Sequence, residues 1–166
     1  MAYCIDEALI RSGQEVVDAL RRRKSSLVTA ESCTGGLIAA ILSQCKDASD
    51  CLHGGFVTYT KIQKSLALGI PATALESCGS VSVEVARLMV RGALERSVAQ
   101  MALSVTGVLG PQTDEDGTAP GTVFVAILSR ALGTATVHSR QYEGHPEEIR
   151  RSLILDALKL LRQSSG

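Results

Sequence analysis

The stretch from residue 29 to residue 37, which reads TAESCTGGL, constrains the fold more than any other part of the chain. Apolar, β-prone residues 26–30 lead into it, and residues 37–42 continue it with a helix-like pattern. The region therefore predicts a strand, a tight glycine turn and a helix start. The first N–H groups of a helix lack intrahelical partners, so they can hold an anion or a developing oxyanion. An anion site and a plain connection with Thr34 as the helix N-cap both fit these residues.

The rest of the chain alternates between helical and strand patterns. Apolar spacing predicts helices over residues 5–23, 34–44, 61–68 and 82–96, and a last helix that starts near Pro146 and buries Ile149, Leu153, Ala157 and Leu160. Strands are predicted up to Ala30 and over residues 54–59, 101–106, 121–129 and 134–142, the last two as a hairpin, with loops at 45–53 and 112–120. This order predicts a three-layer α/β/α sandwich with a mixed, largely parallel sheet.

Composition narrows the classes of function. A chain of 166 residues with 45% hydrophobic and 20% charged residues suits one domain with a sizeable core. Its 17 basic and 17 acidic residues leave no electrostatic footprint for a nucleic acid. The first residues lack a secretory pattern and no apolar run approaches a membrane span, so we expect a cytoplasmic protein without a membrane partner. Self-association into a homo-oligomer is compatible with the apolar composition.

The cysteines and histidines predict neither disulfides nor a metal site. Five cysteines, an odd number without a C-x-x-C pair, indicate free thiols in a reducing compartment. The three histidines lie in separate segments without ligand spacing. We therefore expect no metal and no cofactor.

Several polar or glycine residues follow predicted strands. Ser32, Tyr59 and the pair Thr106 and Gly107 all come at predicted carboxyl ends. Ligands of open α/β sheets gather at those ends, so we expect these residues to face one crevice.

The same segments resemble the CinA C-terminal domain family over nearly the whole chain. The matching motifs are TAESCTGG at 29–36, GFVTY at 55–59, Lys64, LG at 68–69, VS at 81–82, VTG at 105–107 with GP at 110–111, and GTV at 121–123. The resemblance implies one domain over residues 1–166. Members of this family include nicotinamide mononucleotide deamidases. It therefore implies hydrolysis of the nicotinamide carboxamide to nicotinic acid mononucleotide and ammonia by a Ser, Tyr and Lys set, which falls on Ser32, Tyr59 and Lys64.

On this hypothesis Ser32 is the nucleophile, Lys64 the base and Tyr59 a proton relay. The predicted substrate contacts are Glu31, Thr34, Gly35, Gly36, Thr106, Gly107 and Gly110, with backbone N–H groups around 34–36 as oxyanion donors.

Each assignment has an alternative. Tyr59 can be a strand-end aromatic facing water, and Lys64 a solvated helix residue. Cys33 is either a rival nucleophile or a packed thiol. Glu31 either orients Lys64 or hydrogen-bonds the turn.

Two segments depart from the family's usual pattern and leave a second function open. Residues 112–120 lack a glycine-rich run and a basic residue, and residues 144–146 lack an arginine suited to a phosphate. Lys61 stands where a polar residue, often Asn, is usual in the family. The alternative to the enzyme is a non-catalytic or weakly active nucleotide-binding domain of the same fold.

Overall fold

The computed structural model describes residues 5–164, so Cys4 lies outside the described residues. The elements in chain order are α1 (Glu7–Arg22), β1 (Leu27–Glu31), α2 (Leu37–Ser43), a 3₁₀ turn (Ala48–Asp50), β2 (Leu52–Val57), α3 (Lys61–Leu68), α4 (Ala72–Cys78), α5 (Val83–Glu95), β3 (Met101–Gly107), β4 (Thr122–Ser129), β5 (Thr136–Gln141) and α6 (Pro146–Ser164). Among these helices, none combines the length and the apolar character that a bilayer-spanning segment requires.

The five described strands form one sheet in the order β2-β1-β3-β4-β5. Strand β1 lies parallel to both β2 and β3, whereas β3 with β4 and β4 with β5 pair antiparallel. Four of these strands therefore run in one direction and β4 runs against them, which confirms a mixed, largely parallel sheet.

Helices cover both faces of the sheet. Helices α1, α2 and α6 pack with one set of strand side chains, and α3, α4 and α5 pack with the other. Along β1, Leu27 packs with α1, α2 and α6 on one face, and Val28 packs with α3, α4 and α5 on the other. Every residue of this interior strand is buried. Burial on both faces explains why Leu27, Val28 and Ala30 are all apolar although they do not face the same side of the sheet, and it confirms the three-layer architecture.

Most predicted elements are present. Ser82 caps α5 by accepting a hydrogen bond from the Val85 N–H, Pro146 begins α6, and β4 and β5 form the predicted hairpin. Helix α6 buries Leu161, whereas Leu160, which we predicted to be buried, is only half-buried.

Several boundaries differ from the prediction, among them those of β5, which covers Thr136–Gln141 and not 134–142. Helix α2 begins at Leu37 and not at residue 34, because Gly35 and Gly36 carry φ values of 62° and 93°. Strand β2 begins at Leu52 and ends at Val57, two residues early at each end, because it pairs with the short strand β1 from Leu27 onward. Its start and the 3₁₀ turn occupy part of the loop predicted at 45–53. Helix α4 was missed because seven residues are too few to show a period.

Candidate active site

The carboxylate of Glu31 organises the turn after β1. This side chain is 1% exposed. Its Oε2 accepts hydrogen bonds from Thr34 Oγ1 at 2.7 Å and Ile38 N at 3.0 Å, and its Oε1 accepts from Ala39 N at 2.9 Å and Thr29 Oγ1 at 3.2 Å. The first N–H groups of α2 are thus bonded to an internal anion, which also complements the helix dipole.

This arrangement corrects two expectations about the turn. The N-cap of α2 is Gly36 and not Thr34, whose hydroxyl donates to Glu31. The N–H groups of Ile38 and Ala39 are not open to an external anion. Two roles were considered for Glu31, and the structure shows the one in which it hydrogen-bonds the turn. It does not orient Lys64, whose amine donates to Ser80 O and Thr106 Oγ1.

The turn itself keeps a smaller set of open donors. The Gly35 N–H donates to Ser32 O at 3.0 Å. Within the described part of the chain, the N–H groups of Thr34 and Gly36 have no hydrogen-bond partner. Gly36 is required here, since a Cβ would lie 3.0 Å from Val57 Cγ2 at a positive φ. The N–H groups of Thr34 and Gly36 therefore remain candidate donors to an oxyanion.

Ser32 is fixed between the ends of the two central strands. It follows β1 directly, and its N–H donates to Val105 O of β3 at 3.0 Å. The residue is 6% exposed. Its hydroxyl makes no hydrogen bond to another residue between 5 and 164. An unbonded, largely buried hydroxyl at this strand end is available to a neighbouring base or ligand.

The Lys64 side chain crosses from α3 to the end of β3. It is 1% exposed, which excludes the interpretation as a solvated helix residue. Its Nζ donates to Ser80 O at 3.0 Å and to Thr106 Oγ1 at 3.3 Å, and Thr106 Oγ1 donates to Ser80 O at 3.0 Å. Among the described residues it forms no ion pair with a carboxylate.

Burial lowers the pKa of Lys64 to about 8, although the charges of Cys33, Asp114 and Asp116 act in the opposite direction. A buried amine with neutral acceptors favours its uncharged form because the ammonium loses its hydration. A substantial fraction of Lys64 is therefore neutral near pH 8, and a neutral amine can accept a proton.

Tyr59 lies apart from this group. It follows the end of β2 by two residues and is 73% exposed. Within residues 5–164 its hydroxyl bonds to neither Ser32 nor Lys64. The structure therefore brings Ser32, Thr106 and Lys64 to the ends of β1 and β3 but leaves Tyr59 on the surface, and a catalytic role for Tyr59 stays a prediction.

The neighbouring thiol is held in its protonated form. Cys33 is half-buried, and burial raises its pKa to about 12. Since the thiolate is the nucleophilic form of cysteine, this environment favours the packed thiol over the rival nucleophile. The Cys33 carbonyl also accepts a hydrogen bond from Arg150 Nε of α6 at 3.4 Å.

The two predicted glycine contacts after β3 differ in their surroundings. At Gly107 a Cβ would lie 2.7 Å from Val123 Cγ2 and 2.9 Å from Thr122 O, so the close approach of β4 requires glycine. Gly110 has open space around it and lines a cavity of about 270 Å³ between the β3–β4 connection and the start of α6. Substrate contact remains a prediction for both.

Sequence reasoning missed two residues near this group, Ser80 and Arg150. Ser80 acts through its backbone carbonyl, which every residue type has, so no sequence signal marks it. Arg150 is one of several arginines of α6, and only the packing of this helix against the turn distinguishes it. Between residues 5 and 164, no three His, Cys, Asp or Glu side chains come together as potential metal ligands.

Comparison with known proteins decides the family. The model of the CinA C-terminal domain matches residues 10–165. The chain belongs to the CinA C-terminal domain family. Among curated CinA relatives, it is 39% identical over 146 residues to the nicotinamide-nucleotide amidohydrolase PncC of Pseudomonas putida. This alignment covers 87% of this chain and 89% of the relative. It is also 35% identical over 164 residues to a CinA-like protein of Geobacter sulfurreducens, covering 96% of this chain.

The chain spans 39% of the Geobacter relative's length and a similar share of other CinA-like proteins. Solved CinA structures share the fold over their full length. A CinA superfamily protein of Klebsiella pneumoniae superposes with a TM-score of 0.90 at 30% identity, covering 95% of this chain and 97% of the other. One from Escherichia coli superposes with a TM-score of 0.89 at 32% identity, covering 96% and 93%.

Proposed function

We propose that this CinA domain is an amidohydrolase that converts nicotinamide mononucleotide to nicotinic acid mononucleotide and ammonia. The observation that carries the proposal is the Lys64 amine, which is buried at the end of β3 with a pKa of about 8. The Pseudomonas relative is named as a nicotinamide-nucleotide amidohydrolase, and its match with this chain covers 89% of its length. That name supports the same reaction.

The reaction begins with attack of Ser32 Oγ on the carboxamide carbon. Lys64 leaves its bond with Thr106 and accepts the serine proton, because a neutral amine is a competent general base. The N–H groups of Thr34 and Gly36 then receive the oxyanion of the tetrahedral intermediate. Removing one such donor elsewhere costs about 3 kcal/mol of transition-state stabilisation.

Collapse of the intermediate breaks the carbon–nitrogen bond. The protonated Lys64 returns its proton to the leaving nitrogen, which departs as ammonia and leaves an ester on Ser32. Water then attacks this ester while Lys64 again accepts a proton, and Ser32 leaves with that proton as the acid is released. In this scheme Tyr59 relays protons at the open side of the site, which requires its exposed ring to turn inward.

The replacement Ser32→Ala tests the nucleophile. We expect ammonia release from nicotinamide mononucleotide to fall by at least about 10³-fold, with the unfolding midpoint unchanged. Cys33→Ala is the matched control at the next residue and should keep most activity. Wild-type turnover in the Ser32 variant would refute the assignment, and an equal loss in the Cys33 variant would transfer it to the thiol.

A non-catalytic nucleotide-binding domain is the second candidate. The surface position of Tyr59 favours it, because that position leaves the proposed proton relay outside the buried group. The two candidates are separated by incubating the protein with a panel of nicotinamide nucleotides while ammonia and thermal shift are both measured. A thermal shift without ammonia supports the binding domain, and ammonia supports the enzyme.

A further inference from the structure

Ser80 connects the buried lysine to an acidic loop. Its carbonyl accepts hydrogen bonds from both Lys64 Nζ and Thr106 Oγ1, each at 3.0 Å. Its N–H donates to Asp116 Oδ2 at 2.8 Å. The backbone of Ser80 thus accepts a hydrogen bond from the Lys64 amine at its carbonyl and donates one to the Asp116 carboxylate from its N–H.

Asp116 is itself fixed from two directions. Its Oδ1 lies 2.6 Å from Lys61 Nζ, one helical turn before Lys64 on α3. Its side chain also sits against Gly79, where a Cβ would lie 3.2 Å from Asp116 Cβ at a φ of +74°. Helix α3 therefore supplies both the buried amine and the cation that holds Asp116.

The neighbouring Glu115 shares only part of this arrangement. Its carboxylate lies 3.0 Å from the same Lys61 Nζ, and its side chain is 69% exposed compared with 20% for Asp116. Of the two carboxylates, Asp116 is the one that accepts the hydrogen bond from the Ser80 N–H. The two acidic residues therefore carry the same charge and contact the same cation, but differ in the contact with Ser80.

We propose that Asp116, held by Lys61, is a positioning residue that fixes the backbone of Ser80 and through it the Lys64 amine. The proposal rests on the proposed function, in which Lys64 is the base. A lysine amine at the end of four methylene groups has no fixed direction of its own, so its placement depends on the acceptors around it. Without Asp116, the Ser80 N–H loses its acceptor, so the backbone torsions of Ser80 are less restrained and its carbonyl, in the following peptide group, can turn away from Lys64.

The test compares Asp116→Ala with Glu115→Ala, both measured as full-length protein. We expect Asp116→Ala to lower kcat for ammonia release by about 10- to 100-fold, the usual range when a group that orients a reactive residue is lost, with KM changed less than about 3-fold. Glu115→Ala should keep kcat within about 2-fold. Asp116→Asn should recover most of the lost kcat, because its amide oxygen can still accept from Ser80 N.

A second measurement does not depend on activity. NMR titration of the lysine Cε signals in protein labelled with ¹³C-lysine gives the pKa of Lys64, with Lys64→Arg assigning the signal. Loss of the Asp116 charge by itself lowers the pKa of Lys64 further, whereas release of the amine from its buried position raises the pKa toward that of a solvated lysine. We expect the pKa of Lys64 to rise in Asp116→Ala and to stay in place in Glu115→Ala; a fall in Asp116→Ala would be the charge effect alone and would contradict the positioning role.

The possible failures can be distinguished. If Asp116→Ala matches the wild type in both kcat and the Lys64 titration, or if Glu115→Ala causes an equal loss, the positioning role is wrong. If Asp116→Asn loses as much kcat as Asp116→Ala, the charge of Asp116 and not its hydrogen bond with Ser80 is what matters. That result would also overturn the positioning role. If wild-type protein releases no ammonia, the proposed function fails, while the Lys64 titration still decides whether Asp116 fixes the amine.

Discussion

Replacing Lys64 with Met should make the protein more stable at neutral pH while removing its activity. Lys64 is 1% exposed, and its pKa falls from 10.5 to about 8 on burial. At pH 7 the amine is mostly charged in both the folded and the unfolded protein. Keeping the buried amine charged therefore destabilises the folded state by nearly the full free energy of the pKa shift, about 3 kcal/mol. Loss of the two Lys64 hydrogen bonds offsets about 2 kcal/mol. The net gain of about 1 kcal/mol raises Tm by about 2–4 °C for a chain of this size.

The sign of the pH dependence follows from the direction of the shift. A lysine whose folded pKa lies below its unfolded pKa binds fewer protons when folded, so the contribution of Lys64 to wild-type stability rises with pH between about 8 and 10.5. The advantage of Lys64→Met should therefore shrink over this range and vanish or reverse above it. Burial also raises the pKa values of Cys33, Cys45 and Cys51, so these thiols lower stability as pH rises through the same window. Their contributions are present in both proteins and cancel in the difference between wild type and Lys64→Met, which is therefore the quantity to compare.

The assay is urea unfolding of wild type and Lys64→Met at several pH values from 7 to 10.5. Lys61→Met is the matched control, since it removes the same charge from the same helix. Its ion pairs with Asp116 and Glu115 raise the pKa of Lys61, so its removal should give no advantage that shrinks with pH. A Lys64→Met variant no more stable than wild type at pH 7, or one whose advantage is independent of pH, would refute the reasoning.

Two further substitutions test the turn and the end of β2. Glu31→Gln should destabilise the fold by about 1–3 kcal/mol, measured by urea unfolding, because a single amide oxygen cannot replace the carboxylate that accepts from both Ile38 N and Ala39 N; an unchanged midpoint would contradict the capping role. Thr58→Val should leave stability unchanged or raise Tm, because the Thr58 hydroxyl is buried and has no hydrogen-bond partner within the described residues, and a clear drop in Tm would show that this hydroxyl is bonded in solution.

The position of the site could be predicted from sequence because it follows from topology. Ser32 and Thr106 each come after an apolar run, and parallel neighbouring strands must end at the same edge of the sheet. Local patterns also located α3 and its terminal Gly69, whose φ of 69° suits a helix end. These features depend on residues close together in the chain or on the common direction of β1 and β3.

The environment of each site residue could not be predicted in the same way. Lys64 is buried because acceptors 16 and 42 residues away meet its amine, and a helical lysine with ordinary spacing gives no sign of this. Glu31 accepts from N–H groups seven and eight residues later, whereas capping patterns in sequence extend over about three residues. Such contacts arise from tertiary packing, which local spacing does not encode.

The internal cap also bears on how the turn can act in catalysis. Glu31 places a full negative charge at the N-terminus of α2, so the dipole of this helix is already balanced before any ligand arrives. Stabilisation of an oxyanion here must therefore come from individual N–H groups and not from the helix dipole. The same bonds fix the turn through Glu31, so in the proposed mechanism the N–H groups of Thr34 and Gly36 are already placed before charge develops, which is the condition under which such donors are most effective.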